Sequence, residues 1–152
     1  MRALITFLAT GGYVGYFPIA PGTAGSVLGL ILGELIFAPL WTGSSAVFLP
    51  LFAILFLGGC LVAGAAERQS GTHDDSHIVI DEIFGMVAAI FLIPGRWPWL
   101  IAALALFRAL DIIKPWPASY FDAMHGGAGV MLDDLVAGIY TNLTLQIVRR
   151  AL

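Results

Sequence analysis

The sequence predicts an all-α fold: a polytopic helical membrane bundle with four to five transmembrane helices and an N-terminal interfacial segment. Composition is the first observation behind this prediction, because 59% of the 152 residues are hydrophobic and only 11% are charged. A soluble domain carries about 25% charged residues, which it needs for a polar surface. The second observation is that the apolar stretches lack strand-like alternation, which argues against a β-barrel. The length is that of a single domain, over residues 1–152.

Charge and cysteine content exclude several classes of protein. The net charge of −3 and the lack of any lysine- or arginine-rich run argue against nucleic acid as a partner. A lone cysteine, Cys60, rules out an internal disulfide and a cysteine-rich zinc site. Nine of the ten acidic residues lie between Glu67 and Asp134. Because each charge is costly near lipid, this uneven distribution indicates a functional region.

Five apolar stretches are candidate membrane spans. Residues 44–66 carry no charge and are long enough to cross about 30 Å of hydrocarbon. Three further stretches contain only one or two charged residues, and they lie at residues 21–40, 78–94 and 97–113. Residues 130–148 also contain several polar residues, so they form either a fifth span or a helix that lies at the interface.

The N-terminal segment is predicted to be an interfacial helix. Arg2 is followed by an apolar run to Ala9, which is similar to the start of a signal peptide. No small-residue cleavage site follows this run cleanly, so an uncleaved helix at the membrane interface is the favoured interpretation.

Alternating spans would bring the unusual residues to one membrane face, which we call side A. It contains the N-terminal segment and the loops at residues 67–77 and 114–129. Lysines and arginines are equally frequent on both sides if the last helix crosses, and they favour side A as cytoplasmic if it does not. We therefore expect side A to face the cytoplasm and to carry one pocket.

Two adjacent acidic pairs, Asp81-Glu82 and Asp133-Asp134, begin helices that leave side A. Adjacent helical residues point about 100° apart, so one member of each pair can face the bundle interior. Ionised carboxylates near hydrocarbon cost several kcal/mol unless they are paired or metal-bound, and four in one pocket repel one another. A divalent cation removes both problems, and oxygen ligands favour Mg²⁺ over zinc. The alternative is helix capping, which explains one acid per helix but not two.

Arg108, Asp111 and Lys114 recur every three residues and therefore share one helical face. This ladder is typical of an anion site in which a carboxylate orients the cations, and a guanidinium binds phosphate through two parallel hydrogen bonds. A simple ion pair between Arg108 and Asp111 is the alternative interpretation.

A glycine-rich turn and three other polar residues complete the candidate site. Gly126 and Gly127 precede a helix, where exposed backbone N–H groups favour an anion. Thr23 is interpreted as a helix cap or as a ligand contact. His125 is the favoured general acid or base, ahead of His73.

Three segments of the chain resemble the phosphatidylglycerophosphatase A family. They are PIAPGTAGS at residues 18–26, HDDSHIVIDEIFGM at residues 73–86, and LFRALDIIKPWPASYFDAMHGGAGVMLDDLVAG at residues 106–138. The motif residues carried over by this resemblance are Asp81, Glu82, Arg108, Asp111, Lys114, Asp122, Asp133 and Asp134. The family also has soluble helical relatives, so the prediction of membrane spans depends on hydropathy and not on the motifs.

The resemblance implies a bacterial inner-membrane, Mg²⁺-dependent phosphatase of phospholipid biosynthesis. Such an enzyme removes the terminal phosphate of phosphatidylglycerophosphate and gives phosphatidylglycerol. The expected metal ligands are Asp81, Glu82, Asp111, Asp133 and Asp134, and the candidate catalytic residues are Asp81, Asp134 and His125. The expected substrate-binding residues are Arg108, Lys114, Thr23, Gly126 and Gly127. Direct attack by water is preferred over a phospho-aspartate intermediate.

Two other classes of function compete with a phosphatase. A small cation carrier would use intramembrane carboxylates, but it needs acids near the bilayer midplane, where only Glu34 is expected. A membrane-embedded scaffold would leave both acidic pairs without a role. The clustering of acids at helix ends on side A therefore favours the enzyme.

Overall fold

The computed structural model describes residues 1–71 and 75–151, and this part of the chain is helical without any strand. Its α-helices are α1 (Arg2–Ala9), α2 (Pro21–Leu32), α3 (Ala38–Gly43), α4 (Ser45–Ser70), α5 (Ile80–Ala89), α6 (Trp97–Ile113), α7 (Ala118–Asp122) and α8 (Gly127–Ala151). A short 3₁₀ helix, Val14–Tyr16, precedes α2, and a π-helical turn, Gly33–Phe37, joins α2 to α3. The predicted all-α class is confirmed.

Two helical stretches are long and apolar enough to cross a membrane. Pro21–Gly43 has a mean hydropathy of 1.7, and Ser45–Ser70 has a mean hydropathy of 2.5. The most apolar part of each is only 22% buried within the protein, so most of its surface is left for another apolar medium. Together with the low charge content of the sequence, these stretches indicate a membrane protein. The larger number of four to five spans stays a prediction, since only two stretches of the described residues meet both criteria.

Helix α5 differs from the span predicted over residues 78–94. Only Ile80–Ala89 is helical, which is about 15 Å at 1.5 Å per residue and half the thickness of the hydrocarbon. The chain then turns at Leu92, whose φ of +57° lies in the left-handed region, ahead of Pro94. Most of α5 is buried, so it forms the centre of the bundle.

Helices α5 and α8 approach closely because glycines face each other. A Cβ atom at Gly138 of α8 would overlap the main-chain oxygen of Gly85 of α5. The far end of α5 is tied to the same helix: the side-chain amide of Asn142 donates to the carbonyl oxygens of Ala89, at 3.1 Å, and Phe91, at 2.7 Å. Carbonyl groups at a helix end need such partners. The pairing fixes the N-terminal half of α5 beside the first turns of α8.

An aromatic cluster fills the bundle at the end remote from the first turn of α5. Phe48 stacks on Phe91 with ring centroids 5.1 Å apart, and Trp41 meets Phe48 edge-on at 5.2 Å. Such pairs add about 0.5–1.5 kcal/mol beyond the burial of their area. This packing holds α3 and α4 against the turn that follows α5, which leaves polar chemistry to the opposite end.

Candidate functional site

Charged side chains from α5, α6, α7 and α8 meet at one end of the bundle. They surround a cavity of about 60 Å³. Its lining residues are Asp81, Glu82, Asp111, Lys114, Asp122, Val130, Asp133 and Asp134. The tertiary structure thus brings both acidic pairs together with Asp111 and Lys114 in one pocket.

The carboxylates form two overlapping groups. Asp81, Glu82 and Asp134 offer oxygens within 4.8 Å of one another, and so do Asp111, Asp133 and Asp134. Asp134 belongs to both groups and is only 2% exposed. Carboxylate oxygens at this spacing are the ligand set that hard cations such as Mg²⁺ prefer.

Several buried oxygens in these groups have no hydrogen-bond partner among the described residues. They are Oε2 of Glu82, Oδ1 of Asp133 and Oδ2 of Asp134. A buried polar atom without a partner is costly, and a buried anionic oxygen is more so. A divalent cation would satisfy these atoms, so the residues present fit a metal centre.

Arg108 lies at the edge of the acidic groups. Its Nη1 donates to Oδ2 of Asp111 at 2.7 Å and lies 3.7 Å from Oε1 of Glu82. Its Nη1 also lies 3.5 Å from the hydroxyl of Ser26 in α2, and its buried Nε has no partner among the described residues. The ion pair between Arg108 and Asp111, which was the alternative interpretation of their spacing, is present, and Nε of the guanidinium is left without a protein partner among the described residues.

A wider cavity of about 300 Å³ adjoins the acidic groups and includes Arg108. Asp81, Glu82, Asp111 and Lys114 line both cavities. The first residues of α2 form another part of its wall, and a Cβ at Gly22 would lie 3.0 Å from Nη2 of Arg108. The helix N-terminus, which carries a partial positive charge, therefore borders the same space as the guanidinium.

Lys114 follows α6 and neutralises acids from two other elements. Its Nζ donates to Oδ2 of Asp133 at 2.8 Å and also pairs with Oδ1 of Asp122 at the end of α7. Burial lowers the pKa of Lys114, but the hydrogen bonds to Asp122 and Asp133 outweigh it and raise the pKa above its ordinary value. These contacts favour the charged form of Lys114, which balances part of the acidic charge.

Asp122 is not among the predicted site residues, since nothing in spacing or pairing pointed to it and the family resemblance named it only as a motif residue. Its position in the cavity depends on α7, a helix of five residues that the sequence did not predict. Ser76 also lines the wider cavity, although no pattern in the sequence singled it out.

Other predicted residues lie outside the described lining of these two cavities. Thr23 faces an apolar groove beside α2. Gly127 packs on α4, where a Cβ atom would overlap the carbonyl oxygen of Cys60, and Gly126 turns the chain with φ +93°. His125 is exposed on the loop between α7 and α8. His73 lies outside the described residues. The roles predicted for His73 and for the four residues above stay predictions.

Known proteins match nearly the whole chain. The family model described as Phosphatidylglycerophosphatase A matches residues 7–149. Two proteins of that name are similar: one from Haemophilus influenzae is 41% identical over 138 residues, with 90% of this chain and 83% of that protein covered. The other, from Escherichia coli, is 38% identical over 140 residues, with 87% and 76% covered.

A third relative carries a different name. A protein of Bacteroides thetaiotaomicron, named putative phosphatidylinositol-3-phosphatase, is 37% identical over 155 residues, with 96% of this chain and 94% of that protein covered. No solved structure matches the chain significantly.

Proposed function

Because the chain belongs to the phosphatidylglycerophosphatase A family, we propose that it is a Mg²⁺-assisted phosphatase acting on phosphatidylglycerophosphate. It hydrolyses the terminal phosphomonoester and releases phosphatidylglycerol and inorganic phosphate. The family resemblance found in the sequence is confirmed by these matches. The observation that carries the chemistry is the sharing of Asp134 between two groups of carboxylates beside Arg108.

Charge balance supports the need for metal. The two cavities contain six carboxylates and two basic side chains, an excess of four negative charges when all are ionised. A phosphomonoester is itself an anion, so this excess would repel it. Divalent cations on the acids would convert the site from one that rejects phosphate into one that attracts it.

We assign one cation to Asp81, Glu82 and Asp134 and a second to Asp111, Asp133 and Asp134. Such cations would stabilise charge on the phosphoryl oxygens and lower the pKa of a bound water. Asp134 would contact both, which makes it the residue whose loss affects the most interactions.

Arg108 binds and orients the terminal phosphate from the wider cavity. Asp111 holds one guanidinium nitrogen at 2.7 Å, which restricts the direction of the remaining donors. The N-terminus of α2 adds a favourable dipole on the same side. Lys114 contributes positive charge nearby while it remains paired with Asp122 and Asp133.

Hydrolysis proceeds by attack of water on phosphorus. The water oxygen forms the new P–O bond and gives a proton to a carboxylate of the site, and the bond to the glycerol oxygen breaks. The glycerol oxygen takes up a proton as this bond breaks and becomes a hydroxyl group of phosphatidylglycerol. His125 stays the predicted general acid or base, although it is exposed and lies outside the described lining of both cavities.

We place the protein in the bacterial inner membrane as a multi-pass protein of phospholipid biosynthesis, with the site facing the cytoplasm. The phosphate of a lipid head group lies at the membrane surface, and the charged residues lie at one end of the bundle. The lipid can then keep its acyl chains in the bilayer while its phosphate reaches Arg108.

The test is phosphate release by the purified full-length chain in detergent micelles, with phosphatidylglycerophosphate and phosphatidylinositol-3-phosphate as parallel substrates. We expect turnover of the first with Mg²⁺, loss of turnover with EDTA, and recovery when Mg²⁺ is restored in excess. Faster turnover of the inositol lipid would reassign the head group in line with the Bacteroides relative. Labelled phosphate from the substrate that stays covalently bound to the protein after a rapid acid quench would contradict direct attack by water.

A cation carrier is not favoured. Its acids would need access from both membrane faces, whereas the two carboxylate groups lie at the same end of α5 and α8. Uptake of Mg²⁺ into vesicles that hold the protein, without phosphatase activity, would reverse this preference.

A further inference from the structure

An apolar groove of about 590 Å³ runs along α2. One wall is a single face of the helix, and the other is the segment that precedes it, which includes the 3₁₀ helix. Residues that define the groove include Phe17, Thr23, Ala24, Val27, Leu28 and Ile31. None of its described lining residues is charged.

The groove is long enough to hold part of an extended hydrocarbon chain. Thr23 and Ile31 are eight positions apart on α2, which is about 12 Å along the helix axis. Val27 and Ile31 remain 39% and 45% exposed, so the described chain leaves this part of the α2 face uncovered.

The groove adjoins the polar cavity that contains Arg108. Ala20 lines both the groove and the wider polar cavity that contains Arg108. A ligand that crosses Ala20 would have an anionic group beside Arg108 and an apolar part along α2. A phospholipid with a terminal phosphate has this division of polarity.

A second apolar cavity on the molecule does not adjoin the polar cavities in this way. It measures about 370 Å³, lies between α4, α5 and α8, and includes Phe52, Leu135 and Leu143. It has no described lining residue in common with either polar cavity. It therefore serves as a control surface of similar polarity.

We propose that the groove along α2 holds one acyl chain of the lipid substrate. This inference rests on the proposed lipid phosphatase activity and adds a subsite to it. An acyl chain that moves from bilayer to groove stays in an apolar medium, so the gain in hydrophobic energy is small. The effect of the groove is positional: it holds the glycerol backbone at Ala20, so that the terminal phosphate reaches Arg108 in a productive geometry.

The activity test compares phosphatidylglycerophosphate that carries two oleoyl chains with its fully deacylated, water-soluble analogue. The wild-type protein should have the higher kcat/KM for the acylated lipid. Val27→Trp fills the groove and should lower that kcat/KM about tenfold or more, because a displaced substrate loses reactive geometry. It should leave kcat/KM for the deacylated analogue unchanged. Leu143→Trp, in the control cavity, should change neither value.

Three outcomes would overturn the groove while leaving the phosphatase intact. They are equal wild-type kcat/KM for both substrates, an equal loss on both in Val27→Trp, and full activity of Val27→Trp on the acylated lipid. Failure of the wild type to hydrolyse either compound would instead reject the proposed function.

A binding measurement covers the case in which Val27→Trp does not fold. Wild-type protein is illuminated in EDTA-containing vesicles with phosphatidylglycerophosphate whose acyl chain carries a diazirine, and labelled peptides are identified by mass spectrometry. Label concentrated in residues 14–31, and reduced by unlabelled substrate, supports the groove. Label spread over the apolar faces of α4 and α8, and insensitive to that competitor, contradicts it.

Discussion

Lys114 Nζ lies 2.8 Å from Oδ2 of Asp133, which joins the end of α6 to the second turn of α8. The same ammonium pairs with Asp122 of α7. One cation thereby links three separate helices in the wall of the acidic cavity. These ion pairs offset part of the negative charge of the site and also hold the three helices together.

Removal of this cation should weaken both stability and catalysis. Lys114→Gln leaves the largely buried carboxylate of Asp133 without its ion-pair partner, which should cost about 2 kcal/mol of unfolding free energy because breaking one side of a buried pair is destabilising. The lost positive charge should also raise KM for the anionic lipid more than it lowers kcat. Thermal unfolding in detergent and steady-state kinetics measure the two effects. Lys114→Arg, which retains the charge, should recover most of the stability; an unchanged KM in Lys114→Gln would argue against an electrostatic contribution to substrate binding.

The shared carboxylate should be the most sensitive position of the site. Asp134→Asn removes a ligand oxygen from both groups, so kcat/KM should fall at least about 100-fold, as loss of metal affinity and of activity accompany each other at such centres. Glu34→Gln is the matched control, since Glu34 lies in the π-helical turn and outside the described lining of both polar cavities. Mn²⁺ titration followed by electron paramagnetic resonance should show fewer bound ions in Asp134→Asn and the wild-type number in Glu34→Gln. Wild-type activity of Asp134→Asn would remove the shared carboxylate from the mechanism.

Metal should stabilise the fold independently of turnover. The carboxylates of the site repel one another, and a cation that binds only the folded protein adds about 2.7 kcal/mol at 100 times its Kd. Tm should therefore rise with added Mg²⁺ in the absence of substrate. Asp134→Asn should abolish most of this rise. A Tm that does not respond to Mg²⁺ in the wild type, up to millimolar concentrations, would contradict a resident metal.

The close contact of α5 and α8 at Gly85 and Gly138 should determine the geometry of the site, although neither glycine is among its described lining residues. Gly138→Ala places a methyl group against the main-chain oxygen of Gly85, and the backbone shift should cost about 1–3 kcal/mol. Because both acidic pairs depend on this helix pair, activity should fall as well.

Gly58→Ala in α4 is the control for that substitution, because a Cβ there has no other atom within 4 Å. It should be neutral or stabilising, since alanine favours helix by about 1 kcal/mol over glycine. Equal Tm values for the two variants, measured by thermal unfolding in detergent, would show that the close approach of α5 and α8 is dispensable.

The sequence predicted the parts of this protein that depend on local pattern and composition. Low charge and long apolar runs predicted a helical membrane protein, and spacing placed Arg108 and Asp111 on one helical face, where they form an ion pair. Adjacent acids indicated a metal site, and the motifs indicated the family. Each of these features lies within a single segment and can be recognised without knowing which helices are neighbours.

The tertiary structure decided which of these residues meet. It made α5 a half-length buried helix, assigned Asp134 to both carboxylate groups, and turned Thr23 toward an apolar groove. It also placed Asp122 beside Lys114, because Asp122 ends α7, a helix of five residues that is too short to predict from sequence. The physical reason is that these contacts join residues distant in sequence and depend on how closely helices approach. Periodicity within one helix says which face is apolar, but the glycines at Gly85 and Gly138 set the distance and register between two helices.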